Sequence, residues 1–407
     1  MTSSQDHHIL LILSWYPIQE DSLEGIFFFE QALILKKAGM RIGIIYPEIR
    51  PLKEISYHLL KSNYFQYTFA QEAGMPTHRL HGWNLFPGFL KGTMKLWTSC
   101  ARALFKRYVQ KEGMPSIIHA QSVIWAGVAA AEISHMTGIP YLIQEHRDLF
   151  LQPALFKNIL SPHWSKNLMK KSLGKASAIV SVSNMLKKEM EKYLYPSLKA
   201  VEVVPNFIDI EGFGIPQRPS SDKPFVFLTL AVLVAKKNIN LLLRAFKHVQ
   251  SQEPASQLLI GGDGVERANL ERLCQQLDLN SHVQFLGRVS RDQLEKVFAR
   301  AHAFVLPSQY ESFGVVFIEA LAMGLPVIGT VCGGPEDIIT PEVGILLPKI
   351  DEASLVQAML DLKACYSRYD PLTLKDYAQK KFGGKALTKK WIDLYNTIGA
   401  SSGDEKS

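Results

Sequence analysis

Cysteine is scarce. Cys100, Cys274, Cys332 and Cys365 are the only ones in 407 residues, and no two form a CxxC pair. That argues against zinc and against a disulfide framework, and suits a reducing compartment. Long apolar runs are missing too. Even residues 228–235, the longest clean run, fall far short of the about 20 residues a membrane span needs, and read as a buried strand. No signal peptide is expected, because Asp6-His7-His8 precede only a short apolar run without a small-residue cleavage site. No run of basic residues interleaved with aromatics is present, so nucleic acid is not expected as a partner. The loop after the first apolar run reads Ser14-Trp15-Tyr16-Pro17, where a nicotinamide oxidoreductase needs GxGxxG.

What remains is ordinary for a globular enzyme: 47% hydrophobic and 20% charged residues, with length for two or three domains. The net charge of +7 is lopsided. Residues 1–205 carry 23 Lys+Arg against 15 Asp+Glu, whereas residues 206–407 carry 22 against 23. All the surplus positive charge therefore sits in the first half, which points to an anionic partner there, a membrane surface or an acidic substrate.

Each half alternates short apolar strands with amphipathic helices, the pattern of a parallel sheet covered on both faces. In the first half, strands are expected at 9–13, 41–46, 117–119, 141–144 and 178–182, with helices at 25–38 and 123–136. In the second, strands are expected at 225–232, 258–260, 283–286, 303–306 and 326–330, with helices at 239–249, 265–277, 291–300 and 315–323. The Gly/Pro/Ser-rich stretch 212–224 is the best linker. The expectation is an α/β protein with two Rossmann-like, doubly wound domains, one over 1–205 and one over 206–383. Such sheets bind ligands beyond the carboxyl ends of their strands, and the default active site is a cleft between the two.

One junction carries the most chemistry. The strand at 303–306 stops at Pro307-Ser308, a short polar loop holds Glu311, and Gly314 lets a helix begin at Val315, with Glu319 inside it. A helix start exposes unpaired N–H groups and a positive dipole end, which suits a phosphate. Two carboxylates flank it, and both accept hydrogen bonds from hydroxyls, so a ligand with a charged middle and a polyol at each end fits. A nucleotide-sugar is such a ligand. Apolar neighbours around Glu319 imply that its carboxylate needs a partner.

Two further glycine loops, Gly261-Gly262-Asp263-Gly264 and Gly333-Gly334-Pro335-Glu336, read as phosphate sites or as tight turns. Lys236 and Lys237 follow the strand at 225–232, where an ammonium would neutralise a diphosphate leaving group. In the first half, His146 ends the strand at 141–144, and Gly25 opens the first helix. The loop Gly287-Arg288-Val289 is the candidate for base recognition. Residues 91–111 form a basic amphipathic stretch that reads either as a helix lying on an anionic membrane or as a core-packed helix with a solvated face.

These motifs resemble the retaining GT-B glycosyltransferases of family 4 along nearly the whole chain. The resemblance is strongest from Pro307-Ser308 to Glu336: two glutamates separated by seven residues with Ser312-Phe313-Gly314 between them, then Gly324-Leu325-Pro326-Val327-Ile328 and Gly333-Gly334-Pro335-Glu336. Pro205-Asn206-x-x-Asp209, the opening Trp15-Tyr16-Pro17…Gly25-Ile26-Phe27 and Gln144-Glu145-His146 also match. The resemblance implies a nucleotide-sugar in the second domain, an acceptor mainly in the first, and a C-terminal helix at 384–400 crossing back to the first domain. It also implies that Glu311 contacts the donor sugar and Glu319 the ribose. The Phe313, Gly314 and Val315 backbone and Lys237 would hold sugar and phosphates, and His146 would sit near the reacting carbon. Gly25, Lys236, Gly262, Gly264 and Arg288 complete the expected donor site. One departure stands out: where members carry Gly-Arg-Leu, this chain has Ala231-Val232-Leu233, and Asn238 replaces a common glycine.

The expected activity is transfer of a hexose or N-acetylhexosamine from a UDP- or GDP-sugar to a carbohydrate or lipid-linked acceptor, with retention. It is expected to need no cofactor and no metal, since no DxD motif is present. The expected location is cytoplasmic, with a peripheral contact to an anionic membrane through the first domain. The alternatives are a sugar-nucleotide epimerase, or an inactive partner subunit suggested by Val232.

Overall fold

Strand runs of four to six apolar residues cannot hide both faces alone, and here they are covered by helices on parallel sheets. The structure, a computed structural model, describes residues 7–16, 25–152, 154, 163–194, 200–214 and 224–404. Pro17 with the rest of its loop to residue 24, and residues 215–223 of the expected linker, lie outside the described residues. The chain divides into two compact units. Unit 1 is Met1–Val182, Lys187–Val204 and Thr388–Ser407, and unit 2 is Ser183–Leu186 and Pro205–Leu387.

Unit 1 is built on strands β1 (His8–Leu13), β2 (Arg41–Arg50), β3 (Gln66–Glu72), β4 (Met75–Trp83), β5 (Ile117–Gln121), β6 (Tyr141–Glu145), β7 (Ala178–Ser181) and β8 (Val201–Val203). Their order is β3-β4-β2-β1-β5-β6-β7-β8, parallel except for β3. The helices are α1 (Ile26–Lys37), α2 (Tyr57–Ser62), α3 (Leu90–Glu112), α4 (Val128–Thr137), α5 (His163–Gly174) and α6 (Asn184–Leu194). The hairpin β3–β4 has no counterpart in the sequence reading, because its outer strand is half exposed and its apolar positions are sparse. The helix expected at 123–136 starts only at Val128. Before it, Trp125 has φ 70° and Ile124 is extended, because the carboxylate of Glu145 holds Ser122 and the Val123 N–H in a turn.

The basic stretch at 91–111 is helix α3, and its apolar face is core: Met94, Trp97, Ala101, Leu104, Phe105 and Tyr108 are buried. Of the two readings of that stretch, the core-packed one holds, and its basic face is what remains outside.

Unit 2 contains β9 (Val226–Leu230), β10 (Gln257–Gly261), β11 (Val283–Gly287), β12 (Ala303–Leu306), β13 (Val327–Thr330) and β14 (Gly344–Leu347). All are parallel, in the order β11-β10-β9-β12-β13-β14. Covering helices are α7 (Ile239–Gln252), α8 (Arg267–Gln276), α9 (Leu294–Phe298), α10 (Val315–Ala322), α11 (Pro335–Ile338), α12 (Glu352–Ala364) and α13 (Pro371–Phe382). The strand order reverses between β9 and β12, so the loops after these two strands border the switch-point crevice where α/β sheets take ligands.

A last helix, α14 (Gly384–Asp404), contributes Trp391 and Tyr395 to unit 1. Both are fully buried, and Tyr395 lies 2.8 Å from His119 Nδ1.

Candidate active site

The loops after β9 and β12 bring together residues far apart in sequence. After β9 the chain leaves the sheet at Ala231, makes a short turn at Ala235–Lys237 and enters α7 through Asn238. Asn238 has φ 58°, the left-handed conformation that glycine adopts freely and that asparagine tolerates better than most residues. After β12, Ser308 is fully buried and Glu311 nearly so. The Gln309 N–H donates to the Lys236 carbonyl at 2.8 Å and ties the two loops together.

Across this tie, the Lys237 ammonium donates to Glu311 Oε1. Ser308 Oγ donates to the same oxygen at 2.9 Å. Gly314, with φ 94°, then starts α10. The first bond there is Phe317 N–H to the Gly314 carbonyl, so the N–H groups of Val315 and Val316 lie ahead of the ladder, at the positive end of the helix. Phe313 is buried and anchors the turn. Glu319, buried on α10, pairs with Arg291 from the loop after β11. Sequence reasoning asked for a partner to Glu319 and missed this one. The available signal was that Arg291 follows a strand on the same sheet edge.

The glycine loops are packed closely against the neighbouring backbone. Gly262 N–H donates to the Gly287 carbonyl at 2.7 Å, and Gly264 N–H to Asp263 Oδ1 at 2.8 Å. A Cβ on Gly262 would meet the Ala231 carbonyl oxygen at 1.8 Å, and one on Gly264 the Leu233 oxygen at 2.4 Å. Their absent side chains let this loop pack against the backbone after β9. In the third loop the Cys332 and Gly333 N–H groups are filled by the protein's own Glu336 carboxylate. Gly334 N–H donates to the Glu311 carbonyl at 2.8 Å, and a Cβ there would meet Phe313 Cα at 2.1 Å. This loop therefore braces the Glu311–Phe313 segment. Burial pushes the Cys332 thiol up to about 12, so it stays protonated and offers no nucleophile.

Arg288 is exposed beyond β11, and Val232, where family members carry arginine, is 59% exposed beyond β9. Both stand on the carboxyl edge of the same sheet as Lys237.

In unit 1 the carboxyl edge holds a buried amide chain. Gln31 Nε2 donates to Gln144 Oε1 at 2.9 Å, Gln121 Nε2 to Gln31 Oε1 at 3.4 Å, and His146 Nε2 stands 2.5 Å from Gln121 Oε1. His146 is 5% exposed and lies edge-on to Phe28, with Phe27 also in contact. Glu145 accepts from the N–H groups of Val123, His146 and Arg147. Burial raises its carboxyl above the ordinary value, opposed by those bonds and by the Arg147 charge. Gly25, with φ 76°, caps α1 on the same edge.

The comparisons agree with this architecture. Residues 213–381 match the family Glycosyl transferases group 1, and residues 29–211 match Glycosyltransferase Family 4. TuaC of Bacillus subtilis, a glycosyltransferase named for teichuronic acid biosynthesis, is 29% identical over 368 residues, covering 86% of this chain and 88% of TuaC. The gpi3 subunit of phosphatidylinositol N-acetylglucosaminyltransferase from Schizosaccharomyces pombe is 31% identical over 179 residues, 43% of this chain and 38% of that protein. Among solved structures, sucrose-phosphate synthase from Thermosynechococcus elongatus superposes with a TM-score of 0.77 at 20% identity, covering 97% of this chain and all of the other. The chain belongs to the GT-B glycosyltransferases of the family 4 type.

Proposed function

We propose that this transferase moves a hexose or N-acetylhexosamine from a UDP- or GDP-sugar to a carbohydrate or lipid-linked acceptor, with retention of anomeric configuration. The observation that carries this reading is the Lys237–Glu311 pair at the β9/β12 switch point, beside the N-terminus of α10. A cation and a carboxylate held side by side suit a sugar–phosphate bond: the ammonium faces phosphate oxygens, and the carboxylate accepts sugar hydroxyls.

In this reading the Val315 and Gly314 amides and Lys237, with Lys236 nearby, take the charge that grows on the diphosphate as the bond breaks. Glu319, steadied by Arg291, accepts the ribose hydroxyls. Phe313 shapes the turn, the Gly262 and Gly264 loop supports the strand end behind Lys237, and Arg288 stands by the base. The helix dipole and lysine carry the load that a metal would otherwise carry, so transfer proceeds without a divalent ion. The acceptor oxygen bonds the anomeric carbon on the face from which the diphosphate departs as its C–O bond breaks, and the hydroxyl proton passes to the leaving phosphate oxygen, which preserves configuration without a covalent intermediate. The setting is the cytoplasmic face of a membrane, with peripheral attachment.

Thermal shift with UDP, GDP and their sugars tests the donor assignment. One base should raise the melting temperature, since ligand at about 100 times Kd adds about 2.7 kcal/mol. Lys237→Met should lose that shift. Equal shifts for wild type and Lys237→Met would remove Lys237 from the site.

A further inference from the structure

Unit 1 contains a cavity of about 870 Å³ against β2, β3, β4 and α2, away from His146 on the sheet order. Its polar wall is built from two carboxylate–guanidinium pairs. Arg50 meets Glu48 at 2.5 Å, and Arg79 meets Glu72 at 2.8 Å. His81 Nδ1 lies 2.8 Å from the other oxygen of Glu48, which is 2% exposed. Such a wall both accepts and donates, which is what a polyol requires, because each hydroxyl does both. Tyr16 lines the same space under the Arg79 guanidinium, 4.7 Å from the ring. Its buried hydroxyl faces the Glu72 carboxylate, and burial together with that charge and hydrogen bond raises the phenol well above its ordinary value. Ile26 and Phe29 supply an apolar side for a ring face.

Helix α2 lies at the rim of this space, and none of its residues is buried. His58, Leu59 and Ser62 line the cavity, whereas Tyr57 is 78% and Leu60 48% exposed. The neighbouring loop after β4 exposes Leu85, Phe86 and Phe89. The two segments are one surface. Asn63 Nδ2 donates to the Gly82 carbonyl at 3.0 Å, and Trp83 Nε1 to the Asn63 carbonyl at 2.6 Å. Asn84 N–H donates to the carbonyl of Arg50, itself a cavity residue, at 2.8 Å. More than half of the large apolar side chains exposed among the described residues fall in residues 55–89. Lys53, Lys61, Lys91 and Lys95 are exposed among and beside them, in the half of the chain that carries the surplus positive charge. Aromatic and aliphatic tips interleaved with lysines match an anionic bilayer surface.

We propose that this cavity takes the polyol head group of a lipid-linked acceptor, and that the outer face of α2 with the Leu85–Phe89 loop seats unit 1 on an anionic membrane. The inference rests on the transferase reading above and narrows its acceptor.

Two measurements on the full chain test it. The first is flotation with vesicles of phosphatidylcholine, with and without one-third phosphatidylglycerol. Wild type should float with the anionic vesicles, and the variant Tyr57→Ser/Leu60→Ser/Phe86→Ser should lose about tenfold. Absence of flotation, or flotation unchanged in the variant, overturns the seat. The second is transfer of radiolabelled sugar from UDP- and GDP-sugars to detergent-dispersed membranes of the source cells. Label should enter the organic-extractable fraction and fall at least tenfold with Arg79→Ala, while the nucleotide thermal shift stays at the wild-type value. Label only in water-soluble polymer, or undiminished in Arg79→Ala, overturns the head-group site. Failure of every nucleotide to shift wild type would instead strike the donor reading, and flotation would still decide the surface.

Discussion

Lys237 and Glu311 form an ion pair across the carboxyl ends of β9 and β12, although 74 residues separate them in sequence. Ser308 and the Gly334 loop hold the carboxylate side, and the turn at Ala235–Lys237 holds the ammonium side. The pair is preorganised before any donor arrives, which is the condition for electrostatic stabilisation of a transition state.

Glu311→Gln keeps shape and loses charge. If Glu311 meets the sugar as proposed, transfer should fall by about 100-fold or more in kcat, with nucleotide affinity changed far less. Lys237→Met should lower both kcat and nucleotide affinity. Steady-state kinetics beside calorimetric titration with the nucleoside diphosphate separates the two patterns.

Arg291 and Glu319 behave as a unit. Glu319→Gln should raise KM for the nucleotide-sugar about tenfold and leave kcat close to wild type, since the ribose contact proposed for it is remote from the reacting carbon. Arg291→Ala should raise KM in the same direction. It should also lower stability by about 1–2 kcal/mol, less than a fully buried pair would, because the Arg291 side chain is 35% exposed. Chemical denaturation reads the stability and initial rates read KM.

Much of this was legible in sequence, and the reasons for the rest are physical. Parallel strands such as Ala303–Leu306 and Val327–Thr330 are buried on both faces, so their apolar runs stand out. The β3–β4 hairpin has exposed outer positions and merged into loop, and β14 has two half-exposed central residues, Ile345 and Leu346. The turn at Val123–Gly127 reads as helix from Val, Ile, Trp and Ala, and distant groups hold it otherwise: Glu145 takes the Val123 N–H, and Ser14 Oγ bonds the Ile124 carbonyl and the Ala126 N–H. At the site, the Glu311–Glu319 spacing was visible, whereas Arg291 reaches Glu319 by tertiary folding from 28 residues away. For the glycine loops, read as phosphate sites or as tight turns, sequence shows flexibility but not which carbonyl or carboxylate takes each N–H in the fold.

Val232 can be tested directly. Its side chain is 59% exposed on the carboxyl edge of β9, so Val232→Arg costs little packing. A second cation near Lys237 should tighten nucleoside diphosphate binding about tenfold, consistent with about 1.5 kcal/mol for a charged hydrogen bond. The melting temperature without ligand should stay put. Calorimetric titration reads the affinity, and an unchanged Kd would place Val232 away from the diphosphate.

Acid should weaken unit 1 before it reaches ordinary carboxylates. Burial pushes the His119 pKa down to about 3, and burial with the Lys111 charge pushes His78 down to about 4. The unfolded chain takes up these protons near the ordinary histidine value while the folded unit refuses them. Stability is therefore complete above about pH 6.5 and falls as pH drops from there toward 3, by up to about 1.4 kcal/mol per pH unit for His119. Calorimetric melting between pH 7 and pH 4 should show a shallower slope for His119→Gln.

The central claim is that the Lys237–Glu311 junction transfers sugar with retention. Purified protein, an α-linked UDP- or GDP-sugar selected by thermal shift, and dispersed membrane acceptor can be followed by proton NMR at the anomeric position. The account predicts an α-linked product from wild type and essentially none from Glu311→Gln. A β-linked product, or wild-type rates from Glu311→Gln, would contradict it.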